Sequence, residues 1–308
     1  MSEARALPAL IAGATLIGLA PVFVRLAEVG PTAVAFWRLA LAAPVLGIWL
    51  LTSPGPRADE PARLPWGLWL GGAFFAGDLA VWHQSIHWTS VANSTLLTNL
   101  APVWVSLVAW LAFGERIGRV FVGGLLLTLA GAVVLMADSL KISAQTLAGD
   151  GMAILTSLFY AGYLLVLSRS RAQFSTPAVM FWTTSAAALC TLPIVLALGE
   201  LLWPASARDW LLLGGLALLS HVGGQGLIAY GFAHLPASFS AVSLLVQPVA
   251  ATVFAWLLLA EPFGAQQALG GGIVLGGILL CRRAMRADRT LTRRRVCAAR
   301  RCRPARTA

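Results

Sequence analysis

Runs of about twenty apolar residues follow one another along the 308-residue chain, and they decide what surrounds it. A helix of that length crosses a hydrocarbon layer of roughly 30 Å. No water is available there to satisfy backbone N–H and C=O groups, so each run must be helical. Ten runs can be placed, at 7–27, 31–51, 65–88, 90–112 and 118–137, then at 149–168, 176–199, 210–232, 237–259 and 265–281. Composition agrees: 58% of residues are apolar, 11% are charged, and the mean hydropathy is +0.80. The expected fold class is all-α, a polytopic membrane protein of ten transmembrane helices.

The ten runs are five runs stated twice. Shifted by 146 residues, LAPVWVSLVAWLAFGE (100–115) falls without a gap on VQPVAATVFAWLLLAE (246–261). Six of the sixteen positions are identical, including Pro102/Pro248, Trp110/Trp256 and Glu115/Glu261. The same register pairs Gly124 with Gly270 and Gly131 with Gly277. A one-residue slip pairs Phe36–Trp37 with Phe181–Trp182. Five spans is an odd number, so the second copy lies upside down relative to the first. Inverted repeats of this kind build a binding site where the halves meet, near the bilayer midplane. The expected units are residues 1–140, residues 146–283, and a basic tail over 284–308 with too little apolar periodicity to fold.

Charge sets the orientation. Eleven of the 22 basic residues follow Cys281, and a cytoplasmic N-terminus puts 18 Lys and Arg inside against three outside, namely Arg25, Lys141 and Arg208. Such a bias places both termini in the cytoplasm. The net charge of +10 therefore reads as a topology signal and not as a nucleic-acid surface. Cys190, Cys281, Cys297 and Cys302 show no zinc spacing and no disulfide framework. The apolar run after Arg5 is longer than a signal-peptide core and reads as a retained first helix.

The doubled pattern of Pro–Val, Ala–Trp–Leu, an acid and a Gly-rich helix resembles the paired EamA domains of the drug/metabolite transporter superfamily. Phe36–Trp37–Arg38 and the run TSVANSTLLTNLAPVWV are similar to that family's first repeat, and the resemblance covers about 7–283. It implies a ten-helix inner-membrane carrier with a central cavity, exporting small metabolites, amino acids or drugs. The second repeat departs from the pattern, with Thr183 where a second arginine would match Arg38.

Arg38 and Asp78 are the two charges well inside spans, and bare charges at that depth normally face a cavity or a partner. At 1.5 Å per residue they lie roughly 10 and 15 Å below the outer surface, within an arginine's reach of each other. Arg38 suits a carboxylate or phosphate and Asp78 a proton or cation, although an ion pair that only locks two helices would look the same. Helical phase groups Asp78, Trp82 and Ser85, and turns His83 and His87 away from them. The i,i+4 spacing of those histidines is compatible with a metal, but no third ligand supports one. His221 and Gln225 share one face of the eighth span, and the repeat puts Phe75 and Leu79 in their places, so repetition does not impose their polarity. Asn99 and Gln247 precede Pro102 and Pro248, where each proline leaves a carbonyl free; an amide could satisfy that carbonyl or face the cavity. Trp37, Trp82, Tyr160 and Tyr163 are candidate aromatic walls. Glu115 and Glu261 read as caps for the helices that follow them.

The substrate or pathway residues are therefore Arg38, Asp78, Trp82, His83, Asn99, Tyr160, His221, Gln225 and Gln247. No catalytic, cofactor or metal role is assigned, and no nucleotide-binding loop is present. The expected function is secondary transport of a small metabolite such as an amino acid, outward across a bacterial-type plasma membrane. Partners are the solute, the lipid bilayer and a coupling proton or cation, with no nucleic acid; a homodimer is compatible with the pattern. A membrane enzyme would need acids, histidines or metal ligands clustered at one interface, and a receptor would have no use for an inverted repeat.

Overall fold

The structure is a computed structural model that describes residues 3–53, 66–89, 91–137, 146–170, 173–260 and 263–301, without the side chains of 3–4, 83, 86–87, 91–93 and 288–301. The elements formed by the described residues are all helices, with no strand among them. The first span is α1 (Glu3–Ile17) and α2 (Ala20–Leu26), interrupted at Gly18–Leu19 just ahead of Pro21. Next come α3 (Pro31–Thr52) and α4 (Trp66–Trp88). The fourth span is split into α5 (Val91–Thr98) and α6 (Ala101–Phe113), and α7 (Arg119–Met136) completes the first half. The second half has α8 (Leu147–Ser170) and α9 (Thr176–Leu198). Its third span joins α10 (Ala207–Gly215), a π-helical segment (Leu216–Gln225) and α11 (Gly226–Phe232). A second split span, α12 (Ala237–Ser243) and α13 (Val246–Leu259), leads to α14 (Ala265–Arg301). Among the described residues nine segments are long and apolar enough to cross a membrane. The 23-residue α4 stands in the remaining place, so the ten-span, two-repeat fold class holds.

The duplication in the sequence is a duplication in the backbone. Both split spans break at matched points, because Pro102 and Pro248 cannot donate to the preceding turn. Tight turns bridge the gap, with Leu100 N donating to Leu97 O at 3.1 Å and Leu245 N to Val242 O at 3.1 Å. Both spans also end alike: Gly114 (φ 67°) and Ala260 (φ 53°) take the left-handed conformation, each with its N–H on the carbonyl of a matched alanine, Ala109 or Ala255.

Small residues let the last helices of the two halves touch along their backbones. A Cβ on Gly131 of α7 would lie 2.6 Å from the Val274 backbone nitrogen, and one on Gly277 of α14 would lie 2.7 Å from that of Thr128. This is how membrane helices associate when lipid offers no hydrophobic drive. It accounts for the glycines that the 146-residue register pairs.

The described part of the basic tail continues α14 as helix to Arg301, in a run rich in Ala and Arg, which favour helix. One expectation needs correction. Glu115 does not cap the helix that follows it, since the N-cap of α7 is Gly118, with no side-chain cap. Its carboxylate reaches across to the other half. Oε1 accepts from Ala237 N at 2.7 Å, while Oε2 accepts from Ser238 N at 3.2 Å and from Ser238 Oγ. Glu261 lies outside the described residues.

Candidate functional site

The interruption after Ile17, the first two turns of α3, the second half of α4 and the end of α5 face α8, the π-helical segment and α13. A cavity of about 190 Å³ lies between them. Its lining runs from Ile17 to Val24 at the far end of the first span and from Val34 to Arg38 at the start of the next. The cavity thus occupies the half of the bundle away from the face where α1 begins. Most of the wall is apolar, including Pro21, Val24, Val34, Leu79, Leu216 and Ala251.

Into this wall α3 delivers Arg38 and α4 delivers Asp78, only 9% and 8% exposed. The Arg38 guanidinium sits over the Phe75 ring, with Cζ 5.9 Å from the ring centroid, within cation–π range. Phe75 is one rung of an aromatic stack. Its centroid is 4.7 Å from that of Tyr163 and 5.8 Å from that of His221, and Tyr160 follows at 6.3 Å from Tyr163. Two hydrogen bonds fix the stack from behind: Gln225 Nε2 donates to Tyr163 Oη at 3.0 Å, and Thr184 Oγ1 bonds His221 Nε2 at 2.8 Å.

The family of the chain is settled by a comparison of its sequence with protein families. The model of the EamA-like transporter family matches residues 4–137 and again 147–283. The chain belongs to the EamA-like transporter family. Among similar proteins is the pseudopaline exporter CntI of Pseudomonas aeruginosa, 26% identical over 79% of this chain and 82% of that one. An uncharacterized transporter of Archaeoglobus fulgidus is 25% identical over 88% of this chain and 94% of its own length. YdfC of Bacillus subtilis, also an uncharacterized transporter, is 27% identical over 71% of this chain and 70% of its own. A crystal structure with 18% sequence identity superposes with a TM-score of 0.79 over 91% of this chain and 98% of the other, which supports the fold.

In this EamA-like chain the cavity brings together Arg38, Asp78, Trp82, Asn99, Tyr160, Gln225 and Gln247. His221 is not on the wall; it is 1% exposed, behind Phe75, with Nδ1 unpartnered. The side chains of His83 and His87 lie outside the described residues. Among the described residues no group of His, Cys, Asp and Glu could hold a metal. Tyr163 supports the wall from behind at 1% exposure, and Trp37 packs instead against Trp203 and Trp210, where its indole N–H donates to Leu202 O at 2.6 Å. Neither Asn99 Nδ2 nor Gln247 Nε2 bonds a freed carbonyl. The tight turns at the two breaks leave these amides beside the cavity. Phe75 and the threonines Thr95 and Thr98 are lining residues that sequence reasoning did not single out.

Proposed function

We propose that this chain is a secondary transporter that exports a small polar or zwitterionic metabolite, such as an amino acid, by alternating access around the cavity between the repeats. The observation that carries this reading is one basic and one acidic side chain, Arg38 and Asp78, set into the wall of a largely apolar cavity at the junction of the halves. Arg38 would receive a carboxylate, Asp78 an ammonium group or a coupling proton, and the amides of Asn99, Gln225 and Gln247 would orient the rest. With both termini in the cytoplasm, as the bias of basic residues favours, the cavity opens to the outside of a plasma membrane. A relative named as a pseudopaline exporter fits the same direction. The apolar wall favours a second reading, efflux of amphipathic toxic compounds through the same path.

Flux of labelled amino acids and of amphipathic cations into proteoliposomes separates the two. Saturable flux of one class is expected, and Asp78→Asn should abolish it or alter its pH dependence while membrane yield stays near wild type. The amide keeps the shape of the carboxyl group and removes its charge. Undiminished flux in Asp78→Asn, or no flux of any small solute, would sink the assignment.

A further inference from the structure

We propose that the Glu115 carboxylate is a releasable latch that holds the cavity shut on the face where α1 begins. The inference rests on the alternating-access reading above. Glu115 follows Gly114, whose left-handed conformation ends α6, and its own N–H is pinned to Ala109 O at 3.0 Å. From there the side chain crosses to the opposite repeat and takes two backbone N–H groups and one hydroxyl at the start of α12. The first N–H groups of a helix have no partner within it, so another element must supply one. An ionised acceptor makes such bonds short and strong. The latch therefore joins the repeats through groups that need a partner and can exchange it for water.

Its position relative to the cavity gives it a role. α6 and α12 pack against each other on the latched side, whereas no comparable interface joins α5 to α13 among the described residues. By the 146-residue register α12 corresponds to α5 and α13 to α6, so the α6–α12 contact has a mirror image, α13 on α5. The duplicated sequence can make either contact. The structure holds one of them, on the side where the cavity is closed. Opening that side requires α12 to leave α6, and the Glu115 bonds must break first.

The test uses the full chain in nanodiscs, with its native cysteines replaced and one reporter at a time. Ser240→Cys reports on α12, where Ser240 is fully buried. Thr95→Cys reports on the cavity wall. The probe is a charged maleimide. Glu115→Gln should raise labelling at 240 about tenfold or more and lower it at 95, and Glu115→Asp should fall between it and wild type. Ser238→Ala, which removes one donor and leaves the carboxylate, provides the same comparison should Glu115→Gln fold poorly. Unchanged labelling at 240 in a folded Glu115→Gln or Ser238→Ala protein overturns the latch. Labelling needs no solute, so it is independent of the transport reading. Shifted labelling without flux would keep the latch and refute the transporter, and flux with unshifted labelling would do the reverse.

Discussion

Gly131→Ala and Gly123→Ala are the same change eight residues apart on α7, and they should move stability in opposite directions. In a helix interior, alanine in place of glycine gains about 0.5–1 kcal/mol from reduced backbone entropy. At Gly123 nothing lies within 4 Å of the new methyl, so that gain should appear unopposed. At Gly131 the methyl would stand 2.6 Å from Val274 N, 2.9 Å from Ile273 Cγ2 and 3.0 Å from Gly270 O. Two of those atoms are backbone of α14 and cannot swing aside. Ordinary contact begins at 3.4 Å, so the helices must separate by about 0.8 Å at the nearest atom, or the backbone must bend. Overpacking of this kind costs about 1–3 kcal/mol. The propensity gain is common to both variants and cancels between them, so Gly131→Ala should be less stable than Gly123→Ala by about 1–3 kcal/mol. Unfolding by SDS titration in mixed micelles, followed by tryptophan fluorescence, measures that difference. Equal stability, or a more stable Gly131→Ala, would refute the backbone-to-backbone seam between α7 and α14.

Ala260→Gly should raise the thermal midpoint in detergent, because a Cβ in the left-handed region costs about 1–2 kcal/mol, and Gly114→Ala should lower it. Trp37→Phe should cost about 0.5–1.5 kcal/mol through the lost bond to Leu202 O, read as a lower midpoint, with transport kept. If Arg38 and Asp78 only lock helices together, the double change Arg38→Met with Asp78→Leu should restore both folding and flux; on the transport reading it restores folding alone. A reporter fused after Arg289 should be cytoplasmic and one inserted near Lys141 external, and finding both on one side would contradict the inverted arrangement.

Arg38 and Asp78 were legible in the sequence because a charge inside an apolar span has few inexpensive places to be. Helical phase likewise placed Trp82 beside Asp78 on the cavity side. Pro102 and Pro248 marked the points where the fourth and ninth runs lose a ladder bond, but not that those spans split, since Pro44 and Pro193 lie inside unbroken helices. Phe75 was not legible, since an aromatic residue among apolar neighbours looks the same whether it faces lipid, core or a guanidinium. His221 drew attention for its polarity, but its depth behind the wall depends on the π-helical segment, which residue type alone does not reveal. Glu115 was conspicuous because it is doubled. Its partner lies 122 residues away in the other repeat, and no local pattern records so distant a contact.

Phe75 and His221 occupy the same position in the two repeats, yet their rings stack on each other. A position that meets its own copy lies where the inverted halves turn into one another. Had the halves remained separate identical chains, any change there would have altered both sides of the contact at once. Two copies within one chain are free of that constraint. One copy keeps a phenylalanine to carry Arg38 while the other holds a histidine bonded to Thr184, and one turn further the register pairs Leu79 with Gln225, both on the cavity wall. The surroundings of the cavity can therefore differ from one side to the other.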